Sequence, residues 1–248
     1  MDAREHKFIF IVGLHRSGTT VLADILSDHS DVSSFRETGF PKDEGQFLQT
    51  VFPPAAEFGG PGKFGFDVRA HLTEESPLCT VENRDKLLRE WGRYWDISKP
   101  FLLEKSPPNI LKTRFLNALF PGAYFVVILR HPIAVSMATR KWSKTSMFNL
   151  IRHWLRCHEI LYSDLRAIEN KIIVKYEDFV AFPDREMFRI LDFIGLKPFA
   201  LDTSIVTDSN KRYFENWRMK NGMKSRIYKT FLKARFERSF ARFGYSFP

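Results

Sequence analysis

Gly13-Leu14-His15-Arg16-Ser17-Gly18-Thr19-Thr20 has the spacing of a phosphate-cradling loop, with threonine at the position of the usual lysine. The apolar run Phe8–Val12 precedes it as a buried strand, and Val21–Leu26 follows with apolar residues at helical spacing. A loop between a strand end and a helix start presents free backbone N–H groups and the positive end of the helix dipole, which together collect an anion. The magnesium-nucleotide form of such a loop, G-x-x-x-x-G-K-[ST], puts lysine on the terminal phosphates and a hydroxyl on the metal. Here Thr19 replaces the lysine, and the cation of the loop is Arg16, nearer its start. The chemistry predicted is binding of a phosphate-like group without magnesium-ATP.

Two further sets of residues fit a nucleotide with more than one anionic group. Arg130-His131-Pro132 follows the apolar run Tyr124–Leu129, and an arginine between a strand end and a helix start can clamp a phosphate with both arms of its guanidinium. Asn210–Trp217 interleaves Tyr213, Phe214 and Trp217 with Lys211 and Arg212, a mixture suited to an adenine and its neighbouring phosphate, or equally to packing. Lys105, after Phe101–Glu104, ends a further strand, where its cation can meet an anionic group held at the strand ends.

The stretch Phe8–Leu26 resembles the 5′-phosphosulfate loop of sulfotransferases that use PAPS (3′-phosphoadenosine 5′-phosphosulfate) as donor, and its R-S-G-T-T form resembles the bacterial, glycan-modifying and tyrosylprotein branches. The likeness runs to about Trp217 through four motifs in the family's order. It implies a three-layer α/β fold, P-loop nucleotide-hydrolase-like, with a central parallel sheet flanked by helices. It also implies His15, Arg16, Ser17, Gly18, Thr19 and Thr20 as the donor loop, with Arg130 on the 3′-phosphate. The family serine eight positions after that arginine is here Ala138, so Ser136 or Thr139 stands in as its substitute. Tyr213 and Trp217 fall in the family's C-terminal nucleotide loop. Lys105 takes the family role of neutralising the leaving phosphate together with Arg16. The histidine that phenol- and steroid-modifying members carry two residues after this lysine is Pro107 here. The Glu-Thr pair of the tyrosylprotein branch instead maps the proton-accepting base onto Glu37, with His29 as its rival. Tyr176-Glu177-Asp178 resembles a family segment read here as scaffold. The resemblance implies PAPS as donor and PAP as product with no metal, and an acceptor hydroxyl or amine, for which a carbohydrate, glycolipid or other small molecule is the expectation.

The elements that must position these residues are legible as short apolar runs alternating with helical patterns. Strands are predicted at Phe8–Val12, Phe101–Glu104, Tyr124–Leu129 and Lys171–Tyr176, and helices at Arg84–Asp96, Ile110–Phe120, Ile133–Trp142, Leu150–Asn170 and Arg185–Ile194. Such alternation implies a parallel sheet covered on both faces, with ligands beyond the carboxyl ends of its strands. Residues 52–65, rich in glycine, proline and phenylalanine, read as a long binding loop or lid.

The 248 residues fit one domain, 1–248, with 25 phenylalanines for an aromatic core or groove. Cys79 and Cys157 suggest neither a metal site nor a disulfide framework. Nearly all of the net charge of +9 lies from Arg218 onward, where nine Lys or Arg face one acid. That distribution argues against a nucleic-acid binder, whose cations would spread over a contact face. It marks a basic amphipathic helix at about 223–243, docked on the domain or lying on an anionic membrane surface. The charged N-terminus and the lack of a long apolar run predict a soluble, cytoplasmic protein. Oligomeric state leaves no trace. A small-molecule kinase with a degenerate loop and a non-catalytic nucleotide-binding adaptor at a membrane are the alternatives.

Overall fold

Side-chain alternation along the strands builds two cores, and the sheet between them presents its carboxyl edge to the chemistry. In the computed structural model five parallel strands, β1 (Lys7–Val12), β2 (Val32–Ser34), β3 (Phe101–Lys105), β4 (Tyr124–Leu129) and β5 (Lys171–Lys175), pair in the order β2-β3-β1-β4-β5. The structure describes residues 5–202, 209–219 and 221–248; residues 1–4 of the charged start and Lys220 of the basic C-terminal element lie outside them. At β1 the winding reverses. The chain first builds β2 and β3 on one side, then crosses to β4 and β5 on the other, and such a reversal opens a crevice beyond the strand ends.

Phe8, Phe10 and Val12 of β1 face one layer, while Ile9 and Ile11 face the other. The first layer holds α2 (Val81–Trp91), α3 (Thr113–Leu119), α5 (Met147–Asp164) and α9 (Met223–Ala241), and the second α1 (Thr19–Ser27), α6 (Tyr176–Ala181) and α7 (Pro183–Ile194). Many of the phenylalanines meet in the first layer: Phe8 lies 4.6 Å from Phe120 and Phe10 stacks on Phe125 at 5.5 Å, between ring centroids. Such aromatic pairs add to plain area burial. Two remaining helices, α4 (Pro132–Ser143) and α8 (Asn210–Met219), pack together over the end of β4.

The expected strands are present, except that Tyr176 opens α6 instead of ending β5. The helix expected at Ile110–Phe120 is a 3₁₀ turn, Pro107–Leu111, followed by α3, because Lys112 adopts non-helical dihedrals between them. The segment 41–70 is neither strand nor long helix. It is a series of short 3₁₀ turns, at Pro41–Asp43, Gly45–Phe47, Ala55–Phe58, Phe64–Phe66 and Val68–Ala70. Among the described residues no helix is long and apolar enough to cross a membrane.

Candidate active site

The first loop turns so tightly that its glycines are required. Gly18, the residue before α1, has φ +100°, and a Cβ there would meet the Tyr176 ring at 2.8 Å. A Cβ at Gly13 would lie 2.7 Å from the carbonyl oxygen of Ile128 on β4. The loop is thereby pressed against the ends of β4 and β5, and Ser17 N donates to Leu14 O at 3.0 Å within it. Two buried polar atoms of this loop, Ser17 Oγ and His15 Nδ1, have no hydrogen-bond partner. Unsatisfied buried polar groups are costly, and among the described residues these two are positioned to meet a group held by the loop. Burial, and secondarily the Lys105 charge, drives the His15 pKa down to about 3, so its ring is neutral. Around the loop opens a cleft of about 220 Å³, lined also by Arg130, Tyr176, Lys42, Glu44 and Pro107.

Arg130 joins three elements at the back of this cleft. Its Nε donates to Asn210 Oδ1 at 2.8 Å, its NH1 to the Arg16 carbonyl at 2.8 Å, and its NH2 to Ser209 Oγ at 3.3 Å. The guanidinium lies 4.0 Å from the centroid of the Tyr176 ring, a cation–π contact strengthened by burial. Glu177 supports the arrangement from below. It accepts from His131 N, Asn210 Nδ2 and Tyr245 OH, at 3.0, 2.7 and 3.0 Å. The scaffold reading of Tyr176-Glu177 therefore holds for Glu177, while Tyr176 also lines the cleft itself.

On the opposite wall, the turns of residues 41–47 lie over the ends of β1 and β3. Gln46 N donates to Ser106 Oγ at 2.9 Å and Trp91 Nε1 to Gly45 O at 2.9 Å. A Cβ on Gly45 would collide with the Glu104 carboxylate at 2.5 Å. Lys105, only 5% exposed, donates from Nζ to Lys42 O at 2.8 Å and stands 3.9 Å from Glu44 Oε1. Glu44 is 7% exposed and accepts a short hydrogen bond from Gln46 Nε2. Burial raises the Glu44 pKa and lowers that of Lys105, each opposed by the charge of the other. Beneath them Glu104, held by Ser106 and Asn109, is pushed by burial up to about 7. Lys105 lines a second cavity, about 260 Å³, with Asp24, Arg36, Lys42 and Asp43, and this cavity shares Thr20 and Lys42 with the first.

The residues expected from sequence divide into groups. His15, Arg16, Gly18, Thr19, Thr20 and Arg130 line one cleft, with Ser17 buried beneath it and Lys105 at its junction with the second cavity. Glu37 is solvent-exposed at φ +54° and lines neither cavity. Both ring nitrogens of His29 are engaged by backbone, with Asp31 N and Lys197 O at 3.0 Å, so it closes a turn and does not line the cleft. Ser136 and Thr139 are rotated about 160° and about 100° around α4 from Ala138 and meet different neighbours. They line a small void with Leu14, His15 and Trp154, while Ala134 and Ala138 pack on Tyr213. Tyr213 and Trp217 line a groove between α4, α8 and α9, and the Tyr213 ring also lies 5.6 Å from the Arg130 guanidinium at the back of the cleft. Glu44 carries no motif signal. Its only trace in the sequence is an acid in a proline- and glycine-punctuated stretch ahead of β3.

This arrangement can hold an anion at the loop, a second anionic group near Arg130, and a polar reactant in the second cavity, whose Lys105 stands 3.9 Å from the buried Glu44 of the first. Comparison with known proteins gives a concordant picture. The chain is 25% identical over 205 residues to protein-tyrosine sulfotransferase 2 of Gallus gallus, a match covering 78% of this chain and 52% of that protein. It thus spans about half the length of this curated relative. A crystal structure of a sulfotransferase from Alicyclobacillus acidocaldarius superposes with a TM-score of 0.59 at 18% identity, covering 96% of this chain and 94% of that one. The sulfotransferase domain from the curacin biosynthetic pathway superposes with a TM-score of 0.58 at 14% identity, covering 98% and 99%. These structures share the fold. A sulfotransferase family model matches residues 9–200, and with the loop, the arginine and the sheet order in place, the chain belongs to the sulfotransferase family.

Proposed function

We propose that this protein transfers the sulfuryl group of PAPS to a hydroxyl or amine of a polar acceptor. The observation that carries the reading is the glycine-built loop with its unpartnered buried Ser17 hydroxyl, facing a cleft whose cations are Arg16, Arg130 and Lys42. The N–H groups at the start of α1 would take the sulfuryl and 5′-phosphate oxygens, and Arg130 the 3′-phosphate. Sulfuryl carries less negative charge than phosphoryl, so cationic side chains and amides suffice where a phosphoryl-transfer site would recruit magnesium. In the transfer, the acceptor oxygen or nitrogen bonds to sulfur as the bond from sulfur to the 5′-phosphate oxygen breaks. Arg16 and Lys105 offset the charge that gathers on the departing phosphate.

We assign the acceptor's proton to Glu44 in place of Glu37. Glu44 lines the donor cleft on the same wall as Pro107, is held by Gln46, and has a pKa raised by burial, while Glu37 faces solvent. A carboxylate poised upward in this way is a more effective base near neutral pH than an ordinary one. The second cavity, with carboxylates and cations side by side, suits an acceptor rich in hydroxyls, such as a sugar. The name of the Gallus gallus relative makes a peptide tyrosine the second acceptor class. The test is incubation with sulfur-labelled PAPS and a panel of sugars, glycolipids, phenols and tyrosine peptides. Label should pass to one class, most readily the sugars. Tight PAP binding with no transfer to any of them would contradict a catalytic role and favour a nucleotide-binding adaptor.

A further inference from the structure

α9 is apolar on two opposite sides. Its buried side, Leu232, Phe236 and Phe240, packs against α5, with Phe236 5.2 Å from Phe148. At about 100° per residue, Met223, Ile227 and Phe231 form a second stripe centred on the opposite side of the helix. These three are 79%, 65% and 51% exposed. Docking on the domain accounts for the first stripe; of the second, the edge residue Phe231 stacks on Phe148 at 5.9 Å while staying half-exposed, and Met223 and Ile227 are largely exposed. Lys224 and Arg235 flank the exposed stripe on one side, Arg226 and Lys233 on the other, and Arg238 continues its line; all five are exposed.

We propose that this face of α9 docks on an anionic lipid bilayer. The stripe would enter the headgroup region while the flanking cations meet lipid phosphates and carboxylates. An apolar centre between two basic margins on a convex helix is the pattern of interfacial helices. Nucleic acid would leave the apolar centre unpartnered. A second copy of this chain would oppose two faces of like charge, since α9 holds six Lys or Arg against the single acid Glu237.

The experiment is co-sedimentation of the full chain with phosphatidylcholine vesicles, with and without phosphatidylserine. Partitioning should be roughly tenfold or more stronger with phosphatidylserine, and should weaken as salt rises from about 0.1 M to about 1 M. The pair I227E and F231E should lose most of that binding, as should K224E with R235E. The melting temperatures of these variants should stay near that of the parent, with at most a small loss from the Phe231–Phe148 contact, because the substituted residues are largely exposed. Failure to bind the serine-containing vesicles, or binding that the I227E and F231E pair leaves intact, would overturn the proposal. So would a concentration-dependent dimer that the pair abolishes, or capture of an acidic peptide in preference to vesicles. None of these readouts depends on sulfuryl transfer, so this proposal and the catalytic one stand or fall separately.

Discussion

The most consequential side chains are those whose state burial alters. Glu44 titrates above the ordinary carboxylate range because burial disfavours its charge, and Lys105 titrates below the ordinary lysine range for the same reason. A base must be ionised to accept a proton, so kcat/KM should rise with pH through the raised Glu44 pKa. It should fall again as Lys105 loses its charge, earlier than an unperturbed lysine would. Glu44→Gln should abolish the ascending limb and lower kcat by about a hundredfold or more, with little change in PAP affinity. Its effect on folding is separable. A carboxylate whose folded pKa is raised contributes stability that is complete below its unfolded pKa and is lost as pH rises through the folded value, so at neutral pH the amide should fold at least as well. A Glu44→Gln enzyme with full turnover would return the base to Glu37 or to a residue outside the cleft. Gly45 is constrained by space alone: Gly45→Ala sets a methyl against the fixed Glu104 carboxylate and should cost about 1–3 kcal/mol in thermal unfolding. The donor loop was legible in the sequence because its anion chemistry resides in glycine spacing and in its place between strand and helix. Glu44 was not, because an acid in an irregular segment gains its chemistry only from what buries it.

At the scale of elements, strands were easier to read than the segments joining them. Phe8–Val12 and Tyr124–Leu129 are continuous apolar runs, as strands buried on both faces must be. β2 escaped notice because three residues, Val32-Ser33-Ser34, are too few to show a pattern, and Phe101 to Leu103 supply its pairing from far along the chain. The helix α4 shows the same limit for side chains. Ala138 shares a face with Ala134 against Tyr213, so Ser136 and Thr139, one or two residues away, are rotated from it and meet different neighbours. Counting positions along a helix does not substitute for its rotation. The element that depends most on a single residue is the C-terminal clasp, where Glu177 receives hydrogen bonds from the α4 start, from α8 and from Tyr245. Hydrogen bonds to a charged acceptor are worth more than neutral ones, so Glu177→Ala should lower stability by about 2 kcal/mol or more. Limited proteolysis should then cut first near residues 242–248; unchanged resistance there would show that other contacts hold the clasp.

For the whole molecule, the fold class followed from alternation and from motif order, and the sheet order with its reversal at β1 agrees with it; the candidate cleft lies beyond the strand ends where such a reversal would put it. The division of labour within the chain did not follow. The aromatic residues expected to meet an adenine, Tyr213 and Trp217, border a neighbouring groove, with Tyr213 reaching Arg130 between the two, while the turns of residues 41–47 supply Lys42 and Glu44 to the candidate cleft. That difference is tertiary: it depends on α8 leaning on α4, a contact between segments about seventy residues apart. The account depends on the loop selecting an adenylate bearing a single sulfonated end over a triphosphate with its metal. Calorimetric titration of the intact protein with PAP and with magnesium-ATP measures this directly. The account predicts saturable PAP binding at least about tenfold tighter than that of magnesium-ATP, a gap of about 1.4 kcal/mol. Equal or tighter binding of magnesium-ATP, or no binding of PAP, would contradict it.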